Sequence, residues 1–470
     1  MCLARIDLIP GSKGSGKSAL YRIFVSFLPD ILLKQRKVIV AHGVDNPGDP
    51  VFQVFKNQFE VLSESEFIDF WCIYMVSLAH EQFLKNPKYT EYLKECGTEI
   101  EQFKSLSVRA GIPEVTSKKT LRDILGWVLE ALRRIRPAVT VETGDLKYKY
   151  GIEIAEGSKP ASVSRVGADE LPKLPQHVNR LKESLETILS TSGLRLWLMV
   201  DRLDELFPRR SDVESRALRS LLKVLPLFGS PAIRVKIFMR DDIIDQITQT
   251  SDGFTGLTHV TARASDTLRW SEQDILQLIV KRVYASAAVR DAFKVDSETL
   301  IANAAYREEA FYKVFPKTVY SGPNQSPTLS WIYTHAMDGR GNVTPRDVID
   351  LLLRARQHQL DEFRSNLNGT SDYMIGPNAI VYGFRELSKR KRETFLMAEF
   401  PHFWGYIEKF IRGKTEYTEE AILDLLGIKD RKVVQSLIGI GFLREKKGTR
   451  NLVIPQLYRA GLELTQGKAT

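Results

Sequence analysis

The stretch GSKGSGKS, Gly11 to Ser18, constrains the fold of this chain more than any other. It sits between an apolar run, Ala4 to Ile9, that reads as a strand and a segment, Lys17 to Leu28, that reads as an amphipathic helix. Its spacing is G-x-x-x-x-G-K-[ST], and each residue type has a physical reason. Glycines let consecutive backbone N–H groups turn inward and close on phosphate oxygens at the positive end of a helix. Lys17 is placed to reach the outer phosphates of a nucleotide, and the Ser18 hydroxyl is a ligand for Mg2+. Gly11, Ser12, Lys13, Gly14, Ser15, Gly16, Lys17 and Ser18 are therefore the candidate nucleotide-binding residues. The alternative is a plain Gly/Ser turn between strand and helix.

Such a loop predicts an acidic partner at the end of another buried strand. LRLWLMVDRLDELF, Leu194 to Phe207, supplies one. A strand covered on both faces reads as an unbroken apolar run, and this run ends at Asp201. Carboxylates at that edge lie where open α/β sheets bind ligands. Asp201 is expected to hold the metal. Asp204 or Glu205 is expected to polarise an attacking water, unless the cluster is only an acidic turn. A third strand, Ile233 to Ile243, carries Arg240 near its end. Arg240 is a candidate sensor of the γ-phosphate, or else a surface partner of Asp241 or Asp242.

Together the glycine loop, the acidic strand end and the Arg-tipped strand resemble the STAND and AAA+ branch of P-loop ATPases. More narrowly, they resemble bacterial P-loop ATPases with a helical lid and a C-terminal winged helix, often encoded beside antiviral defence genes. Arg202 stands where STAND proteins usually carry a small residue. The resemblance implies an α/β fold with a parallel P-loop sheet core over 1–266, interrupted by a helical insertion and hairpin at about 52–190. A helical lid over 267–372 and a winged-helix-like domain over 373–470 would follow. It implies a regulatory ATPase using ATP and Mg2+, coupling nucleotide state to self-association and to double-stranded DNA or a partner effector protein. It also implies that Arg346, in the first turn of a lid helix, reaches the nucleotide as a second sensor; an ordinary surface arginine is the alternative. A DNA-binding regulator holding nucleotide without turnover is the competing function.

The remaining pattern fills in this layout. Arg36 to Asp45 reads as a second strand and turn, and EFIDFWCIYMVSLAHEQFL as the clearest amphipathic helix. Thr140 to Glu156 alternates like a hairpin about Gly144, and a connector rich in Gly, Ser and Pro follows. His80 and Glu81 lack a second histidine at metal-ligand spacing and read as an ordinary helix face. Ser271 with Asp274 forms a capping box ahead of one lid helix. Thr344 as N-cap with Pro345 at the first position opens another. Little precedes the glycine loop, so the expectation is that the adenine is gripped by the lid and later segments, or else that the product begins upstream or is fused to another domain.

From Val381 onward there are 17 basic and 11 acidic residues, a surplus of six in a chain of net charge +9. The order there is helix, helix, strand, basic tip, strand. Arg431 to Ile440 would be a recognition helix offering Arg431, Lys432, Gln435 and Ser436, with Lys446, Lys447 and Arg450 on a wing. SKRKR, Ser388 to Arg392, is a phosphate contact or a solvated face. The bland reading is a domain that packs on protein. Cys2, Cys72 and Cys96 have no metal spacing and cannot make a disulfide framework, which suits a reducing cytoplasm. The opening MCLARIDLIP lacks a signal peptide's apolar stretch, and the longest apolar run, Phe70 to Ala79, is too short for a membrane span.

Overall fold

The computed structural model describes residues 6–43, 59–60, 62–109, 126, 174–201, 211–248, 254, 257–365 and 373–469. The expected hairpin at Thr140 to Glu156, the connector after it as far as 173, and both Asp204 and Glu205 lie outside the described residues. By its contacts the chain forms two units, one of Met1–Pro10 with Lys17–Thr267 and one of Gly11–Gly16 with Leu268–Thr470. Among the described residues no helix is long and apolar enough to cross a membrane.

The first unit is built on a four-stranded sheet of β1 (Leu8–Gly11), β2 (Val38–His42), β3 (Arg195–Val200) and β4 (Ile233–Arg240), in the order β1-β4-β3-β2. β2 runs parallel to β3, and β3 to β4. Leu8 also makes a parallel bridge to Ala264, so chain from the end of this unit lies beside β1. The strands are almost wholly buried, which explains their unbroken apolar runs. Helix α1 (Lys17–Arg22) follows the glycine loop and is fastened by Tyr21, whose hydroxyl donates to the Gly43 carbonyl at 2.9 Å. This arrangement is consistent with a P-loop nucleotide-binding core.

Helix α2 (Glu64–Ala79) forms where the aromatic segment predicted it, with Ser63 and Glu66 as a capping box. It is not amphipathic, however. Twelve of its sixteen residues are buried, because α3 (Leu174–Thr191) and α4 (Asp212–Val224) both pack on it. The Trp71 indole donates to the Ala217 carbonyl of α4 at 2.8 Å. The helix runs on into His80, which is 4% exposed. Burial, with Lys85 and Lys104 nearby, pushes the His80 pKa down to about 4. Glu81 is the carboxylate facing it, 3.7 Å from Nδ1.

A pH dependence follows. Above pH 6.5 His80 is neutral in both folded and unfolded chains, so its contribution is complete. As pH falls from 6.5 towards 4 the unfolded chain takes up the proton first, and stability is lost by at most about 3 kcal/mol. Urea unfolding between pH 7 and 4.5 is expected to show this slope, and His80→Phe is expected to flatten it. An equal slope in the variant would assign the acid sensitivity to other groups.

In the second unit one apolar core runs from Ile275 to Leu462. Among its helices are α5 (Glu272–Val283), α6 (Thr328–His335), α7 (Pro345–Arg364) and α8 (Pro377–Lys391). Both expected N-termini form: Ser271 and Asp274 make a capping box on α5, and Thr344 accepts from the Asp347 N–H ahead of Pro345 on α7. Helices α7 and α8 approach closely at Gly383, where a Cβ would stand 2.3 Å from the Leu351 carbonyl oxygen. After α8 the chain continues as a π-helical turn, Arg392–Met397. Then come α9 (Pro401–Ile407), β5 (Lys414–Tyr417), α10 (Glu419–Leu426), α11 (Lys432–Gly439), β6 (Arg444–Glu445), β7 (Leu452–Val453) and β8 (Thr465–Ala469). The sheet order is β6-β7-β5-β8, with β7 antiparallel to β5 and β6, and β8 parallel to β5. Strand β8, TQGKA, has no apolar alternation to announce it; pairing with β5 makes it a strand.

Candidate nucleotide-binding site

The loop between β1 and α1 turns on two glycines. Gly14 and Gly16 have φ of 88° and 101°, a region that only glycine enters without strain. The Ser15 N–H donates to the Ser12 carbonyl at 3.1 Å and closes the turn. Ser15 is 2% exposed, and its Oγ has no hydrogen-bond partner among the described residues. Lys17, at the first position of α1, is buried, and Ser18 beside it is half-buried. A glycine turn, a buried polar oxygen without a partner, an ammonium and a hydroxyl in succession form a donor set suited to phosphate and Mg2+.

Residues distant in sequence meet this loop. A Cβ on Gly14 would lie 3.1 Å from Thr344 Oγ1 and 3.2 Å from Arg346 Cβ, so the first turn of α7 abuts the glycine. Arg346 is exposed there. The Trp270 indole N–H donates to the Ser15 carbonyl at 2.7 Å, and its ring lies 3.6 Å from where a Gly16 Cβ would be. Trp270 is itself held by Tyr333, whose hydroxyl donates to the Trp270 carbonyl at 2.9 Å. Gly11 makes a parallel bridge to Leu268. Finally, the Lys13 ammonium donates to the Glu399 carboxylate, whose side chain is 4% exposed.

In the sheet unit, Asp201 directly follows β3 and is half-buried. Arg240 ends β4, which stands between β1 and β3. Its guanidinium makes a two-pronged pair with Asp242, Nε to Oδ1 at 2.9 Å and the terminal nitrogen to Oδ2 at 2.7 Å. The carboxylates expected to polarise water, Asp204 and Glu205, lie outside the described residues.

Sequence reasoning missed Trp270 and Glu399. Trp270 carries a weak signal, since it directly precedes the N-cap Ser271. Glu399 has one only in hindsight, as a lone acid within FLMAEFPHFW.

At the C-terminal sheet, two of the basic groups expected to face DNA are already paired. Arg431 pairs with Glu419, and Lys446 with Glu416 at 2.7 Å. Asn451 also donates to Glu416, and these hydrogen bonds hold the Glu416 carboxyl below its usual range. Lys432, Lys447 and Arg450 are exposed.

No family model matches the chain, and no curated protein is detectably similar to it. Among solved structures it is similar to the Walker-type ATPase PABY2304 of Pyrococcus abyssi. That likeness has 11% identity and a TM-score of 0.36, and it covers 98% of this chain and 91% of that one.

Proposed function

We propose that the protein binds and hydrolyses ATP at Gly11 to Ser18, and that the nucleotide state switches the contacts of its C-terminal region. The observation that carries this reading is the loop itself: two glycines at positive φ, between a buried strand and a helix that opens on Lys17 and Ser18. In this reading the backbone N–H groups from Gly14 to Ser18 and the Lys17 ammonium hold the phosphates, while Ser18 and Asp201 hold Mg2+. Bound ATP supplies the phosphoryl group that passes to water. Glu205 or Asp204 orients that water and accepts its proton. Arg346, beside Gly14, is available to neutralise phosphate charge. Arg240 would have to leave Asp242 to do the same.

The finer reading places the protein among STAND- and AAA+-like switch ATPases that self-associate in the ATP state. The order β5–α10–α11–β6–β7 supports a winged helix. Exposed Lys432, Lys447 and Arg450 favour a second reading, in which the domain holds duplex DNA and nucleotide is a structural ligand. A partner effector protein is the other output. Turnover separates the readings. Glu205→Gln is expected to retain ATP and to slow hydrolysis by roughly 100-fold or more, measured with and without duplex DNA and alongside sedimentation in each nucleotide. Binding without turnover in the unaltered protein would favour the regulator. Turnover untouched in both Glu205→Gln and Asp204→Asn would remove the acidic strand end from the chemistry.

A further inference from the structure

The Trp270 side chain has one polar group, the indole N–H, and it donates to the Ser15 carbonyl of the glycine loop at 2.7 Å. That carbonyl and the Gly16 N–H belong to one peptide unit. The unit is planar and trans, so its C=O and its N–H point in opposite directions. By holding the carbonyl, the indole fixes the Gly16 N–H on the edge turned away from Trp270. Among the described residues that N–H has no backbone acceptor. The Ser15 hydroxyl next to it is buried and has no hydrogen-bond partner among them either. Gly16 does not hold this orientation by itself. Turning the peptide over changes ψ of Ser15 and φ of Gly16, and glycine takes either sign of φ at little cost. Turned over, the unit presents a carbonyl oxygen where it now presents an N–H, and that oxygen repels phosphate. Two helices place Trp270. It directly precedes Ser271, the N-cap of α5. Tyr333 of α6 donates to its carbonyl at 2.9 Å, and Ser330 of α6 donates to Glu272 of α5 at 2.6 Å.

We propose that Trp270 is a positioning residue for phosphate: it holds the Ser15–Gly16 peptide in the orientation that turns an N–H toward the bound polyphosphate. This rests on the nucleotide-binding reading above. It makes the readiness of the loop depend on α5 and α6. While they keep Trp270 against the loop, the donor is set before the ligand arrives. Where Trp270 is withdrawn, the peptide is free to turn, and the site loses an N–H and gains an oxygen. The group recognised through Trp270 is the phosphate chain and not the base, because the bond acts on the loop backbone.

The test uses the full chain and two ligands titrated by calorimetry: Mg-ATP, and Mg-tripolyphosphate, which has no base. Trp270→Phe keeps an aromatic ring and removes the N–H. It is expected to weaken both ligands alike, by roughly tenfold, because the fraction of loops in the accepting orientation falls by the worth of one neutral hydrogen bond. The second readout is the indole N–H resonance that Trp270→Phe removes from the spectrum of protein labelled at tryptophan nitrogen. In the unaltered protein it is expected to shift with either ligand. A loss for Mg-ATP alone would make Trp270 a contact to the base and overturn the proposal. Unchanged affinity for both ligands in Trp270→Phe overturns it as well and leaves the nucleotide site standing. No Mg-ATP binding by the unaltered protein overturns both readings. If Trp270→Phe does not fold, Tyr333→Phe replaces it: freeing the Trp270 carbonyl is expected to weaken both ligands roughly threefold, and unchanged affinity there overturns the proposal.

Discussion

Lys17→Ala is expected to weaken Mg-ATP binding by at least about 100-fold while the chain still unfolds cooperatively. The size follows from what the ammonium does. A charged donor meeting phosphate oxygens in a partly enclosed loop makes bonds roughly twice as strong as neutral ones, and each 1.4 kcal/mol is tenfold in affinity. Lys17 is buried at the start of α1, so its charge is little screened by solvent. Backbone N–H groups of the loop remain in the variant, and some affinity remains with them. Ser18→Ala is the companion variant: it is expected to lose the dependence on Mg2+ more than the affinity for nucleotide alone. Calorimetry with and without Mg2+ reads both. Equal affinity in Lys17→Ala and the unaltered protein would reduce the loop to a strand-to-helix turn.

Asp7→Ala is expected to destabilise the sheet unit by about 3–5 kcal/mol, the range for removing one partner from a buried ion pair. Asp7 directly precedes β1 and is 1% exposed. Arg234 on β4 donates to both its oxygens, at 2.9 and 2.8 Å, and Arg263 reaches it at 3.3 Å. Lys236 Nζ stands 4.0 Å away and also over the Trp197 ring at 4.4 Å. Without the carboxylate, three cations would face one another with little water to separate them. The Arg263 head also fills the space beside Gly229, where a Cβ would be 2.3 Å from its guanidinium, so it has little room to swing away. Asp7→Asn keeps the shape and loses the charge, and is expected to be nearly as costly. A urea midpoint moved by less than the equivalent of about 1 kcal/mol would show that the cations find other partners.

The glycine loop and the packing of the helices were unequally legible. Gly14 and Gly16 at positive φ, Lys17 opening a helix and Asp201 closing a strand are properties of short stretches, and short stretches can be read. Capping at Ser271 and Thr344 was legible for the same reason, since a cap is a contact over three residues. The enclosure of α2 was not, because an apolar helix looks alike whether one face or all faces are covered; α3 and α4 decide it. Arg240 carried two readings in the sequence, sensor or surface pair, and in this structure its guanidinium lies on Asp242.

The sequence by itself determined where α1, α5 and α7 begin and which loop carries the residue types suited to phosphate, because capping, spacing and backbone freedom are local. Only the tertiary structure decided that Asp7 gathers Arg234 and Arg263, that Trp270 and the start of α7 lie on the glycine loop, and that Glu399 meets Lys13. Those pairings join residues between about 227 and 386 positions apart. No local pattern encodes them, since a charge in the sequence shows its sign and not its partner. Burial selects the partner, by making any carboxylate left alone in the interior too costly to keep.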